Sequence, residues 1–336
     1  MTKLHLWRDM FGELPRLIAQ NNGFNVTAFR YPSGVEALKL ENDRGHLIVL
    51  PWMGQMIWSA QFDGLDLTME SMFSQPKPVS EIISTYGCFA YHSGLLANGC
   101  PTPDDSHPLH GEMPCATMDQ AWLELNEQAI SICGEYEYVM GFGHHYRARP
   151  SVTMCVDSAL FDIEMSVTNL ASLPMPLQYM CHINYAYVPG ATFGQNIPES
   201  AWKLRESIPA HVIPTPAWSA FNEEIRTGNT MLTGLSQPHC YDPEIVFFAD
   251  CLNQYTDTLE FTMHSPQGVT FVTRFDSAQM NYATRWILHN NDQKVGAFVL
   301  PATCRPEGFK AAKENGTLIN LGPKDTKDFK VTTGIL

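Results

Sequence analysis

Between Asp162 and Thr168 the chain alternates without a break: Ile163, Met165 and Val167 are apolar, while Asp162, Glu164, Ser166 and Thr168 are polar. A period of two is the signature of a strand that buries one face and wets the other. Val152, Met154 and Val156, alternating with Thr153 and Cys155, repeat the pattern just upstream, so the two runs are expected to pair as antiparallel neighbours. Leu259, Phe261 and Met263 alternate in the same way, the turn Ser265-Pro266-Gln267-Gly268 follows, and a second β-rich run starts at Val269, which together predict a hairpin. Further strands are expected around 37–41, 46–50, 122–133, 177–188, 245–251, 295–300 and 329–333. Strands outnumber helices several-fold and do not alternate with them. That pattern argues against a doubly wound nucleotide fold and for an all-β sandwich of large antiparallel sheets with few short helices. One helical segment is expected at about 9–22, where Met10, Phe11, Leu14, Leu17 and Ile18 recur at helical spacing around Pro15.

With 44% hydrophobic and 17% charged residues in 336, the chain can bury a sizeable core, and it is read as one domain over 1–336. The Pro- and Gly-containing stretches 98–114 and 189–198 are then long loops on a sheet scaffold, where function usually sits. Lysine plus arginine at 21 against aspartate plus glutamate at 35 gives a net charge of −14, which repels phosphate backbones and anionic lipid. Neither nucleic acid nor a membrane surface is an expected partner. No window reaches the ~18 consecutive apolar residues of a membrane span, and Arg8 and Asp9 interrupt the stretch where a signal peptide would be apolar. Nine cysteines are scattered without a CxxC pair, which fits reduced thiols in the cytoplasm better than a zinc or disulfide framework. G-x-S-x-G and the glycine-rich phosphate loops are absent, so hydrolase, kinase and dehydrogenase readings have no support.

Two of the twelve histidines stand out by their settings. His110 lies in Ser106-His107-Pro108-Leu109-His110-Gly111-Glu112-Met113-Pro114, between prolines and beside a glycine that lets backbone approach closely. His182 lies in Gln178-Tyr179-Met180-Cys181-His182-Ile183-Asn184, where strand parity puts Gln178, His182 and Asn184 on one face, a polar row suited to a cleft floor. Taken singly, either histidine is as readily a satisfied structural residue. His92, His107, His110 and Glu112 cluster around one loop with ligand types suited to zinc, manganese or iron, but their spacing matches neither a cupin nor a zincin. Tryptophans and tyrosines could stack on a sugar, and equally fill a β core.

The strings Phe11-Gly12-Glu13-Leu14, Gly94-Leu95-Leu96, Leu109-His110-Gly111, Cys181-His182-Ile183-Asn184, Leu300-Pro301-Ala302-Thr303 and Leu321-Gly322-Pro323 are individually unspecific. In this order and spacing they resemble the aldose 1-epimerase (galactose mutarotase-like) superfamily, in an aldose 1-epimerase-like branch. The resemblance implies a β-supersandwich with a sugar cleft and interconversion of anomers by acid/base ring opening, without metal or organic cofactor. It implies His182 as the acid at the ring oxygen and His110 as its neighbour on the sugar. Histidine suits that role because its reference pKa of ~6.5 lets it exchange a proton near neutrality. The pattern breaks at the base: where the family places a glutamate before the proline of the penultimate strand, this chain has Leu300, and Met53 stands where an early arginine is expected. Glu307, six residues past Pro301, is the nearest substitute base. Glu112 and Glu244, with Gln178, Asn184 and Arg149 (or its strand neighbour Arg147), are candidate substrate-binding residues. The expected partner is a small-molecule sugar, with a homo-oligomer left open. The alternatives are a sugar-binding protein that lost turnover with its base, and a metal-dependent sugar isomerase built on the 107–112 loop.

Overall fold

A computed structural model describes residues 2–21, 23–208 and 212–336. Its strands form two large sheets, one of nine strands and one of thirteen. The alternating runs behave as their period demands. The strand Leu160–Asn169 buries every second residue, and it pairs antiparallel with His145–Cys155 on one side and Thr326–Ile335 on the other. The hairpin pairs Thr258–His264 with Thr270–Asp276 in the same nine-stranded sheet. The segment 122–133, read as one strand, is a second hairpin, Gln120–Leu125 with Ala129–Val139. Asn126 makes its turn by accepting the Gln128 and Ala129 N–H groups through Oδ1 at 2.8 Å each.

The centre of the thirteen-stranded sheet runs Ile245–Ala249, Tyr282–His289, Lys294–Ala302, Met175–Ile183, Ala90–Leu95 and Met56–Phe62. These strands read as almost continuous apolar runs because both of their faces are covered. Register fixes what each face carries. His182 lies opposite Tyr91 and Met180 opposite Ser93, while the intervening Cys181 lies opposite His92. Tyr179, of the second set, stacks on Phe329 of the nine-stranded sheet at 4.6 Å between ring centres. The His182 set therefore points away from the shared core, toward the loops on the outer face. One contiguous apolar cluster fills the space between the sheets and continues through the larger sheet to its outer face.

The N-terminal helix expected at 9–22 is not formed. Arg8–Met10 makes a single 3₁₀ turn, and Arg16–Asn21 is a strand paired with Phe24–Arg30; Asn22 lies outside the described residues. The apolar spacing there was incidental, since Leu14 and Leu17 are exposed while edge pairing satisfies the backbone. The longest helix is instead Pro216–Arg226, capped by Thr215, whose Oγ1 accepts the Trp218 N–H at 3.2 Å.

Candidate functional site

The outer face of the thirteen-stranded sheet opens into a cavity of about 530 Å³ with His110 and His182 in its wall. The loop after Ala90–Leu95 carries His110 to this point. His110 N donates to Gly99 O at 2.9 Å, and its carbonyl accepts the Gly94 N–H at 2.9 Å. These bonds hold His110 in the left-handed region, φ 62°, an uncommon conformation for a non-glycine residue and one that costs free energy. Gly111 follows at φ 78°, and a Cβ there would sit 2.2 Å from Ala97 O, so only glycine lets the loop close. Seventy-two positions apart in sequence, the two imidazoles meet edge to face with ring centres 4.8 Å apart.

The hydrogen bonds around His182 define its tautomer. Asn184 donates Nδ2–H to the Cys88 carbonyl at 2.9 Å, which turns its Oδ1 toward His182 Nδ1, also at 2.9 Å. An amide oxygen only accepts, so Nδ1 carries the proton and Nε2 is left with its lone pair. The Tyr86 hydroxyl donates to that lone pair at 3.2 Å, and the Tyr91 hydroxyl donates to Tyr86 at 3.2 Å. Tyr91 also stacks on the His182 ring at 4.6 Å, and Trp286 meets that ring edge to face at 5.6 Å. Burial keeps His182 well below the usual imidazole range; His110 lowers it further and the Asn184 bond opposes this. Burial, with a smaller effect of His107, pushes His110 down to about 3. Both rings are thus neutral at pH 7, while burial holds the Tyr86 phenol protonated.

Next to these rings Trp286 Nε1 donates to Glu244 Oε2 at 2.7 Å, and Arg205 donates to Oε1 at 2.6 Å. Among the described residues Glu244 is the one carboxylate lining the cavity. Most of the remaining wall is apolar, including Phe73, Met180, Leu288 and the buried Leu300, which is paired with Thr284.

Several expected site residues lie elsewhere. Glu307 does not reach the histidines: Pro306 borders their cavity, whereas Glu307 faces a separate one of about 330 Å³ with Asp250 and Tyr282, 3.9 Å from Arg305. Glu112 is a structural carboxylate, with Oε1 accepting Leu95 N and Leu96 N at 3.0 Å each and the Tyr146 hydroxyl at 2.6 Å. Arg149 pairs with Glu135 at 2.7 Å on the nine-stranded sheet, beside Arg147, remote from the cleft. Gln178 is fully buried and bonded to Leu96 O and Cys304, and Asn184 acts on His182 from below; neither lines the cavity. The 107–112 loop does not gather a metal site. His92 points into the core toward Tyr179, His107 Nε2 accepts the Phe309 N–H, and among the described residues no group of three or more His, Cys, Asp or Glu could hold an ion. Tyr86, Tyr91, Arg205 and Trp286 escaped the sequence reading. The pairing of His182 with Tyr91 is a matter of register between strands, which leaves no local trace.

The two sheets and the cleft on the outer face of the larger one define a galactose mutarotase-like β-supersandwich, the architecture of the aldose 1-epimerase-like proteins. A provisionally assigned aldose 1-epimerase from Klebsiella pneumoniae superposes with a TM-score of 0.78 at 15% identity, over 93% of this chain and 83% of that one. A galactose mutarotase-like protein from Clostridium acetobutylicum gives 0.60 at 12% identity, over 94% and 99%. A galactose mutarotase related enzyme from Lactobacillus acidophilus gives 0.58 at 9%, over 89% and 97%. At such identities these superpositions show the shared fold alone. The chain belongs to the family described as Domain of unknown function (DUF4432), whose model matches residues 32–335. No curated protein matches the sequence.

Proposed function

We propose that this protein binds a monosaccharide in the His110–His182 cleft and interconverts its anomers by opening and reclosing the ring. The observation that carries the reading is the convergence of two neutral imidazoles, a phenol and an Arg–Glu pair on one cavity of small-molecule size. Glu244 and Arg205, each already oriented by a partner, offer an acceptor and donors to sugar hydroxyls, and Trp286 offers an apolar face. The chemistry needs only proton transfer, and the Asn184 and Tyr86 hydrogen bonds fix which His182 nitrogen can accept a proton. Leu300 favours a second reading, a sugar-binding protein without turnover, because the cleft wall is apolar where the aldose 1-epimerase pattern expects a glutamate.

The two readings separate in one experiment. Saturation-transfer NMR on D-glucose, D-galactose, D-glucuronate and L-fucose, with affinity titrations alongside, is expected to show anomer exchange above the spontaneous rate for at least one of them. Binding with no added exchange selects the second reading. Neither binding nor exchange removes the sugar assignment.

A further inference from the structure

Among the described residues the one carboxylate lining the cleft, Glu244, is already engaged by Arg205 and Trp286, yet ring opening requires one group to take the proton of the anomeric hydroxyl and another to give a proton to the ring oxygen. We propose that Tyr86 and His182 supply both functions as one bifunctional pair, with His182 Nε2 the base and the Tyr86 hydroxyl the acid. This rests on the ring-opening reading above, and it reverses the acid role that the family resemblance implies for His182.

The argument is geometric. Because Cys88 O orients the Asn184 amide, and Asn184 Oδ1 holds the Nδ1 proton, Nε2 can only accept. Its resting partner is the Tyr86 O–H, 3.2 Å away, and both side chains line the cavity. The hydroxyl and ring oxygens of a hemiacetal are bonded to the same carbon, so the H–O1–C1–O5 unit can insert into that single hydrogen bond. O1–H then donates to Nε2 while O5 accepts from the phenol. On reaction the O1–H bond breaks and Nε2–H forms. The freed electron pair makes C1=O1, the C1–O5 bond breaks with its pair going to O5, and O5 takes the phenolic proton. This leaves an imidazolium and a phenolate side by side, of opposite charge and each already partnered: Nδ1–H by Asn184, and the phenolate oxygen by the Tyr91 hydroxyl. Rotation about C1–C2 and the reverse steps on the other face return both protons. Burial holds both groups in the neutral forms from which the exchange starts.

The test is anomer exchange, with the sugar from the four-member panel that the wild type turns over fastest, in Tyr86→Phe, His182→Asn and the double variant. Each single change is expected to lower kcat by ~10²–10⁴, the usual worth of a positioned acid or base, with KM and thermal unfolding little altered. The double variant is expected to be no slower than the worse single, because the two groups act as a unit. Tyr86→Phe retaining the wild-type rate, or a double variant that loses the product of the two single effects, overturns the pair and leaves the ring-opening reading standing. A wild type with no exchange above the spontaneous rate removes both.

Discussion

At the scale of single residues, Glu112 shows how a carboxylate next to a candidate catalytic histidine can be engaged in holding its own loop. Its Oε1 receives two backbone N–H groups and a buried tyrosine hydroxyl. Glu112→Ala leaves those donors unsatisfied and is expected to cost ~1–3 kcal/mol, read as a fall in urea midpoint, with whatever activity remains showing an unchanged KM. Titration gives a second prediction. Burial pushes His92 and His110 down to about 3 from the ordinary 6.5, and drives His182 in the same direction. The folded chain then binds fewer protons than the unfolded one between those values. Stability is fully present above pH 6.5 and is lost as pH falls toward 3, by at most ~1.4 kcal/mol per pH unit for each such histidine. Urea melts at pH 7, 6 and 5 are expected to show this decline, and His92→Gln, which leaves the cleft untouched, is expected to make it shallower. A flat profile across that range would show that the imidazoles are not held neutral.

Among the elements, the helix Pro216–Arg226 is tied to the cleft through Glu244. Thr215 caps its N-terminus and donates its hydroxyl to Asp242 O at 2.9 Å, while Trp218 Nε1 donates to the Glu244 carbonyl. Thr215→Ala is expected to cost ~1 kcal/mol of stability and to weaken sugar binding through Glu244 more than it slows exchange, visible as a raised KM at near-constant kcat. Its start carries a local signal in Thr215-Pro216, a cap residue followed by proline at the first helical position, which escaped the sequence reading. The paired strands were legible because a period of two is local, present in seven consecutive residues at 162–168. The false helix at 9–22 arose because spacing alone cannot tell an amphipathic helix from an exposed edge strand entered through a 3₁₀ turn. The site was legible only in part. Family strings pointed to His110 and His182, but Tyr91 entered through the register of Ala90–Leu95 against Met175–Ile183, and Tyr86 through the end of the 3₁₀ turn Ile82–Thr85 and its hydroxyl relay, which no local pattern encodes. Glu307 lines a different cavity for the related reason that a separation of six residues from Pro301 does not determine which cavity a loop side chain faces.

Over the whole molecule, two large sheets and one continuous apolar cluster give the chain a core of its own, and all nine cysteines are free thiols. Thermal unfolding is therefore expected to be indifferent to reductant and to chelator, and a drop of several degrees with either would reveal a cross-link or an ion on which the fold depends. Among the described residues no helix is long and apolar enough to cross a membrane. The thirteen-stranded sheet serves as a platform: its inner face packs on the smaller sheet, and its outer face presents His182 to a loop that delivers His110. Function on this scaffold hinges on whether proton transfer at His182 opens a sugar ring. The most direct measurement is the anomer exchange rate by saturation transfer for wild type and His182→Asn at equal concentration, on the sugar that binds tightest. The account predicts exchange well above the spontaneous rate in the wild type and a loss of ~10²–10⁴ in the variant; a wild type that binds the sugar but exchanges it no faster than buffer would contradict it.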